Sequence, residues 1–294
     1  MYNFVAKLGK KAMKGLLPYT LNLGGELLSL SEPQVMGILN VTPDSFYADS
    51  RSRTEAEVAD RVSQILEEGA NMIDIGAYSS RPGADEVSPE EEMKRLRLGL
   101  KTIRRIAPQA IVSVDTFRAP FARMCVEEYG VQIINDISGG EMDPNMFQTI
   151  AELDVPYILM HMKGTPQTMQ ENCTYGNLMA EMLQYFGGKV QDLRELGVKD
   201  IILDPGFGFA KTLDQNYELM NHLQDLKVLG LPILVGISRK SMIYKLFDTT
   251  SEEALNGTTV LNTLSLMKGA NILRVHDVKA CVETVSIIKK MLSC

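Results

Sequence analysis

Val35-Met-Gly-Ile-Leu39 runs directly into Asn40-Val-Thr-Pro-Asp-Ser45, a short apolar segment that ends in a polar turn. An apolar run without polar alternation marks a strand covered on both faces, as in a parallel sheet under helices. The turn then separates two ways of building such a sheet. A doubly wound open sheet that holds a dinucleotide carries G-x-G-x-x-G after its first strand, and a P-loop needs G-x-x-x-x-G-K-[ST]. The first does not follow this strand, and the second occurs nowhere in the chain. Seven further runs of the same kind recur at Met72–Ile75, Ile111–Val114, Val131–Ile134, Tyr157–Met160, Ile201–Leu203, Ile233–Val235 and Ile272–Val275.

Helical segments fill the intervals. Thr54 and Glu57 have the spacing of a capping box before Val58, Val62, Ile65 and Leu66, with Gly69 at the stop. Ser88, Pro89 and Glu91 repeat the start signal ahead of a Met93, Leu96, Leu100, Ile103 stripe. Further helices are predicted at Pro120–Tyr129, Tyr175–Leu196, Asn216–Leu226, Ser251–Met267 and Val278–Met291. Eight strands alternating with helices, without a linker-like tract, predict an α/β fold: a single (β/α)₈ TIM barrel over 35–294.

Residues 1–34 form a separate extension in this reading. Phe4, Val5, Leu8, Met13 and Leu16 recur at roughly helical spacing beside Lys7, Lys10, Lys11 and Lys14. The lysines interrupt any signal-peptide core, and Arg and Ser are too few for a transit peptide. A basic amphipathic helix can lie on a membrane surface, but the reading adopted is a short helix packed on the barrel. Thr20–Leu30, with Gly24-Gly25 at its centre, is predicted as a hairpin leading into the core.

Composition narrows the function classes. The chain has 294 residues, 45% of them hydrophobic, and no apolar run long enough for a membrane span. Thirty Lys and Arg against 37 Asp and Glu give a net charge of -7 without a basic cluster, which argues against nucleic-acid binding. Cys125, Cys173, Cys281 and Cys294 are scattered and form no C-x-x-C, as suits a reducing cytoplasm. Three histidines without ligand spacing predict no structural metal.

In a barrel the active site lies at the carboxyl ends of the strands. Those ends carry Asn40, Asp74, Asp115, Asn135 with Asp136, His161, Asp204, Ser238 with Lys240, and Arg274 with His276 and Asp277. One Asp or Asn after a strand is often a turn residue; eight polar ends on one face are harder to dismiss. Arg239, Lys240, Ser241, Arg274 and His276 crowd the last two ends, where barrels commonly bind phosphate. Asp115, Asn135 and Asp204 supply acceptors suited to a donor-rich planar edge such as an amino-pyrimidine. Asp204-Pro-Gly-Phe-Gly-Phe209 brings two glycines where backbone passes close to a ligand or takes positive φ, and Phe207 or Phe209 is placed to stack. Met160 and Met162 read as barrel filling, and His222 as a surface residue.

These blocks together resemble dihydropteroate synthase, a pterin-binding barrel family of folate synthesis. The resemblance rests on Met36–Phe46, Asp74-Ile-Gly with Ser80-Arg-Pro-Gly83, Val114-Asp-Thr116, Ile134-Asn-Asp136, Met160-His-Met-Lys-Gly164, Asp204-Pro-Gly-Phe-Gly208, Gly236-Ile-Ser-Arg-Lys-Ser241 and Arg274-Val-His-Asp277. It implies condensation of 6-hydroxymethyl-7,8-dihydropterin diphosphate with 4-aminobenzoate, releasing diphosphate. By motif, Asp115, Asn135, Asp204 and Lys240 hold the pterin with Asp74 beside them, and Arg274 and His276 hold the diphosphate. Asn40 meets a Mg²⁺ carried on the diphosphate. Ser80, Arg81 and Pro82, with Ser241, form the aminobenzoate side, closed by the loop bearing Phe46. Met160, Phe209 and Val275 complete the substrate-binding set, and Asp115, Lys240, Arg274, His276 and Arg81 are the expected catalytic residues. A homodimer and sensitivity to sulfonamides are further implications.

Both lid loops depart from the family pattern. Gly76-Ala-Tyr-Ser-Ser-Arg-Pro82 stands where Gly-Gly-Glu-Ser-Thr-Arg-Pro is usual, and Tyr47-Ala-Asp-Ser50 replaces Ser-Asp-Gly-Gly. Two rivals share the pterin pocket: a pterin-binding methyltransferase domain, which has little use for a diphosphate clamp, and a catalytically silent pterin-binding protein without functional lids. Retention of Asn40 and Arg81 favours the synthase.

Overall fold

The computed structural model describes residues 19–41, 51–78 and 87–293. The proposed helix within residues 1–18 lies outside them. A hairpin of β1 (Thr20–Leu23) and β2 (Glu26–Ser29) precedes β3 (Gln34–Asn40), and α1 (Arg51–Glu67), β4 (Met72–Gly76) and α2 (Pro89–Ile106) follow. Alternation continues through β5 (Ile111–Asp115), α3 (Ala119–Tyr129), β6 (Ile133–Asp136), α4 (Met146–Leu153), β7 (Tyr157–Met160) and α5 (Leu178–Glu195). The last part holds β8 (Ile201–Asp204), α6 (Leu213–His222), β9 (Leu234–Val235), α7 (Ser241–Tyr244), α8 (Leu255–Met267), β10 (Ile272–Val275) and α9 (Val278–Leu292).

Strands β3 to β10 form one parallel sheet in the order β8-β7-β6-β5-β4-β3-β10-β9. A parallel bridge between Leu203 and Ile233 joins β8 to the segment leading into β9. This is the (β/α)₈ barrel anticipated from the apolar runs.

Successive side chains of a strand point to opposite faces. Val35, Leu39, Ile73, Ile75, Val112, Val114, Leu203, Val235 and Leu273 face outward and form the main core with the helices. Met36, Met72, Ile133, Ile158, Ile202, Leu234 and Ile272 face inward as a separate apolar layer at the strands' amino ends. The hairpin closes that end: Leu21 and Leu30 are fully buried against the layer. Asn22 N–H donates to Asp200 Oδ2 at 3.0 Å, fastening the hairpin beside the start of β8.

Helix ends follow local chemistry. Ser88 caps α2 by accepting from Glu91 N–H, Pro89 occupies its first turn, and Glu90, Glu91 and Glu92 lie at the positive end of its dipole. Gly130 stops α3 in the left-handed conformation. The start of α1 differs from expectation: the helix begins at Arg51, so Thr54 and Glu57 lie inside it. Helix α4 was not anticipated; its eight residues are too short to show a clear period.

Candidate active site

Moving two residues up each strand from the inward apolar layer keeps the side chain pointing inward. That step turns Met72 into Asp74, Ile111 into Ser113, Ile133 into Asn135, Ile158 into Met160, Ile202 into Asp204 and Ile272 into Arg274. One step higher come Asn40 on β3, Asp115 on β5 and His276 beyond β10. Barrel geometry alone thus brings Asp74 and Arg274, two hundred positions apart in the chain, into contact.

Arg274 occupies the centre of the mouth. Its Nε donates to Asp74 Oδ2 at 2.6 Å and its Nη2 to Asp115 Oδ2 at 3.0 Å. Asn135 Nδ2 donates to the same Asp74 oxygen at 3.2 Å. Asp74 Oδ1, Asn135 Oδ1 and Ser113 Oγ are buried with no partner among the described residues. Orphaned buried acceptors are costly and point to a ligand that supplies N–H groups.

Burial pushes the Asp115 carboxyl up, against the pull of Arg274 and with help from neighbouring Asp74. Asp204 is likewise raised by burial, while Lys240 and a hydrogen bond from Gly206 N–H hold it back. For Lys240, burial lowers the ammonium to about 8 despite the attraction of Asp204. Burial also disfavours the Arg274 charge, but Asp74 and Asp115 together outweigh it and hold the guanidinium protonated. Three carboxylates and two cations therefore share one recess and compensate each other.

Lys240 reaches back across the mouth. Its Nζ donates to the carbonyl of Phe207 and lies 4.5 Å from the centre of the Phe209 ring. Phe209 borders a small apolar cluster with Phe117, Ile137, Met160, Met162 and Tyr78. This collar stands beside the polar recess and offers a flat wall for an aromatic ligand. Phe207 itself is wholly buried in the outer core.

At the rim, His276 N–H donates to Ser238 Oγ at 3.1 Å, and the ring Nδ1 lies 3.1 Å from the same oxygen. If Ser238 donates to the ring, Nε2 carries the imidazole hydrogen. A cavity of about 520 Å³ opens here between β3 and α1, lined by Asn40, Glu57, Val58, Arg61 and His276. Arg61 Nη2 donates to the His276 carbonyl at 2.6 Å, tying α1 to the end of β10. Sequence reading missed Arg61 because it sits in mid-helix and not at a strand end.

Several strand-end residues face elsewhere. Asp136 lies one position past Asn135 and points outward, accepting from Ser138, Gly140 N–H and the Tyr157 hydroxyl. His161 is one past Met160 and is buried beside Tyr185 and Phe186 of α5. The Val275 side chain belongs to the outer core, so only its backbone borders the mouth. Arg239 forms a bidentate pair with Asp277 and bonds the Ser251 and Glu252 carbonyls, which makes it a structural brace. Ser241 is half-buried at the start of α7. Phe46, Ser80, Arg81 and Pro82 lie outside the described residues. Tyr78 is described: its ring meets Phe117 edge-on at 5.1 Å, and its hydroxyl accepts from Gln167 Nε2 at 2.7 Å.

An inward ring of carboxylates and an amide, an aromatic wall and a cationic rim define a barrel enzyme for a planar, N–H-rich, anionic ligand. The family of pterin binding enzymes matches residues 36–276. The chain is 40% identical to dihydropteroate synthase of Escherichia coli over 273 residues, 92% of this chain and 95% of the relative. It is 43% identical to the Synechocystis dihydropteroate synthase over 252 residues, 85% and 86% of the two chains. Yersinia pestis dihydropteroate synthase, solved with a sulfonamide drug, superposes with a TM-score of 0.86 at 38% identity, covering 94% of this chain and all of that one. The Xanthomonas albilineans enzyme, solved with 4-aminobenzoic acid, gives 0.85 at 34% identity, covering 95% of this chain and all of the other. The chain belongs to the pterin binding enzymes and, within them, to the dihydropteroate synthase family.

Proposed function

We propose that this chain joins 6-hydroxymethyl-7,8-dihydropterin diphosphate to 4-aminobenzoate, giving 7,8-dihydropteroate and diphosphate. The observation that carries the reading is the set of orphaned inward acceptors, Asp74 Oδ1 and Asn135 Oδ1, beside Asp204 and beneath a cationic rim. An amino-pyrimidine edge supplies the missing N–H donors, and the Phe209 face supports its ring. Lys240, beside that ring and within the field of Asp204, is assigned to the pterin as well.

In the reaction the C–O bond between the pterin methylene and the diphosphate breaks, a C–N bond forms to the arylamine, and the amine loses a proton. Arg274 and His276 are assigned to balance charge growing on the departing diphosphate. Cleavage running ahead of attack leaves positive charge on the pterin methylene, which the Asp115 carboxylate offsets. The neutral amine is a modest nucleophile, so orientation and exclusion of water matter more than a strong base. Arg81, Ser80, Pro82 and Ser241 are assigned to the aminobenzoate side, with Phe46 on the closing loop; a sulfonamide would compete there.

Magnesium fits as a passenger of the diphosphate. Asn40 is exposed at the end of β3 and offers a neutral oxygen, while no group of three or more His, Cys, Asp or Glu among the described residues could cage a metal. Mg²⁺ favours this arrangement of few protein ligands plus phosphate oxygens. When bound it supplies charge neutralisation on the leaving group.

A homodimer through α8 and α9 is part of the proposal. These adjacent helices expose Val260, Leu264 and Met267 on one and Ile287 and Met291 on the other, each at helical spacing. A cytoplasmic setting is supported by Cys125, Cys173 and Cys281, all unpaired. No described helix is long and apolar enough to cross a membrane.

The direct test is diphosphate release by the purified chain, with each of pterin diphosphate, 4-aminobenzoate and Mg²⁺ withheld in turn. Release requiring all three supports the synthase. Tight pterin binding without release returns the question to a methyltransferase domain or a silent pterin binder.

A further inference from the structure

Lys211 is a buried cation that the proposed reaction leaves without a task. It is 3% exposed, and its three ammonium hydrogens have three partners: the Gly206 carbonyl at 3.0 Å, the Phe209 carbonyl at 3.0 Å and His161 Nδ1 at 3.2 Å. A lysine in an apolar interior is expensive unless its charge is matched and its donors are used. This one sits directly behind the loop that carries Asp204, Phe207 and Phe209.

That loop is held in an unusual path. Gly206, Gly208 and Ala210 take φ of +67°, +81° and +48°, alternate residues in the left-handed region. A Cβ at Gly206 would lie 2.1 Å from the His161 carbonyl oxygen, so the residue after β7 and the loop touch backbone to backbone. Along this path the carbonyls of the loop face two different lysines. Phe207 O faces Lys240 Nζ, whereas Gly206 O and Phe209 O face Lys211 Nζ. Asn216 fixes the same segment through Gly208 N–H, which donates to its Oδ1 at 2.6 Å.

We propose that Lys211, seated on His161, is a positioning residue for pterin binding: it pins the 204–209 loop so that the Phe207 carbonyl and Phe209 ring hold Lys240 over the pterin pocket. The inference rests on the synthase reading above. It also assigns His161 a role. To accept from Lys211, the ring must be neutral with its hydrogen on Nε2. Burial first, and then Lys211 and Lys163, pull His161 down to about 2, which keeps it neutral at every working pH.

The same ammonium acts on charge. Its neighbours are Asp204 on β8, Lys240 beyond β9, and His161, Lys163 and Cys173 in the segment after β7. Lys211 helps hold Asp204 ionised against burial. Loss of its charge therefore moves Asp204 further up, and the acid limb of pterin binding moves with it.

Two variants separate charge from shape. Lys211→Met keeps length and removes charge and donors; Lys211→Arg keeps charge but cannot place donors on the same three atoms. For Lys211→Met we expect the KM for the dihydropterin diphosphate to rise about tenfold. The KM for 4-aminobenzoate stays within about twofold, since that side is built from other loops. The acid limb of the pH profile for binding of the dihydropterin diphosphate, followed by calorimetry without 4-aminobenzoate, shifts upward. Lys211→Arg should keep the limb and still show the raised pterin KM. A uniform loss of kcat with both KM values and the limb unchanged overturns the proposal. Should Lys211→Met fail to fold, nitrogen NMR of His161 in the wild-type chain decides: Nε2–H with an unprotonated Nδ1 is expected, and an Nδ1–H ring overturns it. The binding and NMR arms do not depend on turnover, so failure of the synthase reading is distinguishable from failure of this one.

Discussion

The two ends of the barrel interior lie two residues apart on the same strands and are built on opposite terms. At the amino end, Met36, Met72, Ile133, Ile158, Ile202, Leu234 and Ile272 form a dry layer sealed by Leu21 and Leu30 of the hairpin. At the carboxyl end, the next inward positions are Asp74, Ser113, Asn135, Asp204 and Arg274, with acceptors that have no partner among the described residues. One end gains free energy by excluding water from apolar surface. The other gives up some stability by holding charges and unpaired groups ready for a ligand. Barrel stability and barrel chemistry are therefore separable along the strand axis, and each end offers a test.

The largest effect is expected at the mouth. Arg274→Ala removes the cation that links Asp74 and Asp115 and leaves two buried carboxylates facing each other. Turnover should fall by about 10²–10³-fold, the scale for losing one preorganised donor to developing charge. Folding stability should fall as well, by about 3 kcal/mol, because one partner of a buried ion pair has been stripped away. Steady-state kinetics and urea unfolding measure the two together; an active, equally stable variant would remove Arg274 from the centre of the site.

At the opposite end the same size of change should be silent in catalysis. Leu30→Ala takes a fully buried side chain from the seal, and a cost of about 2–5 kcal/mol in unfolding is expected. Both KM values should hold at a temperature where the variant is folded. A changed pterin KM would mean that the hairpin shapes the mouth through the barrel wall, and the separation of the two ends would fail.

Legibility in the sequence followed the same axis. The strands are readable because buried parallel strands are nearly uninterrupted apolar runs; Asp115, Asn135 and Asp204 are readable as polar residues closing them, and Asp74 and Arg274 as polar residues one short of the end of theirs. What the runs do not reveal is on which side a terminal residue falls. Asn135 and Asp136 are equally polar and adjacent, yet one faces the pocket and the other braces Tyr157. The same holds for His161 and Arg239, whose roles depend on which neighbouring helix or loop lies behind the strand end. The apolar run from Val131 predicts a strand that in the structure begins at Ile133, because an apolar residue after Gly130 packs in the turn as readily as in the sheet. Lys211 and Arg61 have no local signature; only the folded chain brings acceptors to them.

Titration offers a third, smaller way to separate function from stability at the mouth. Lys240 carries its proton to about 8 and Lys211 to about 7, both below the ordinary lysine value because of burial. As pH rises past these values the unfolded chain binds more protons than the folded one, so stability increases with pH. Between pH of about 7 and about 9 the melting temperature should rise by a few degrees. Above that range the buried Cys125 and Cys281 thiols, both pushed up to about 12, act in the opposite sense. Pterin affinity should move the other way, falling several-fold across pH of about 8 as Lys240 loses the charge that meets Asp204. Affinity and stability that rise together would show that Lys240 does not hold the pterin.

The smallest expected effect lies where the chain departs from its family. Tyr78 stands at the root of the loop leading to Ser80 and Arg81, in place of the usual acid. It replaces a charge with a ring against Phe117 and a hydroxyl that takes a hydrogen from Gln167. An acid at this position would have no ring to set against Phe117, whereas the tyrosine anchors the loop root to two other loops of the mouth. Tyr78→Phe keeps the edge-on ring contact and removes the hydrogen bond alone. Because that bond is exposed, the stability change should stay below about 1 kcal/mol. The arylamine site should register more than the fold does: the KM for 4-aminobenzoate is expected to rise about threefold, about 0.7 kcal/mol, with the pterin KM unchanged. If pterin and arylamine KM values shift equally, Tyr78 supports the whole apolar collar; an unchanged arylamine KM would show that the loop root is held by the ring alone.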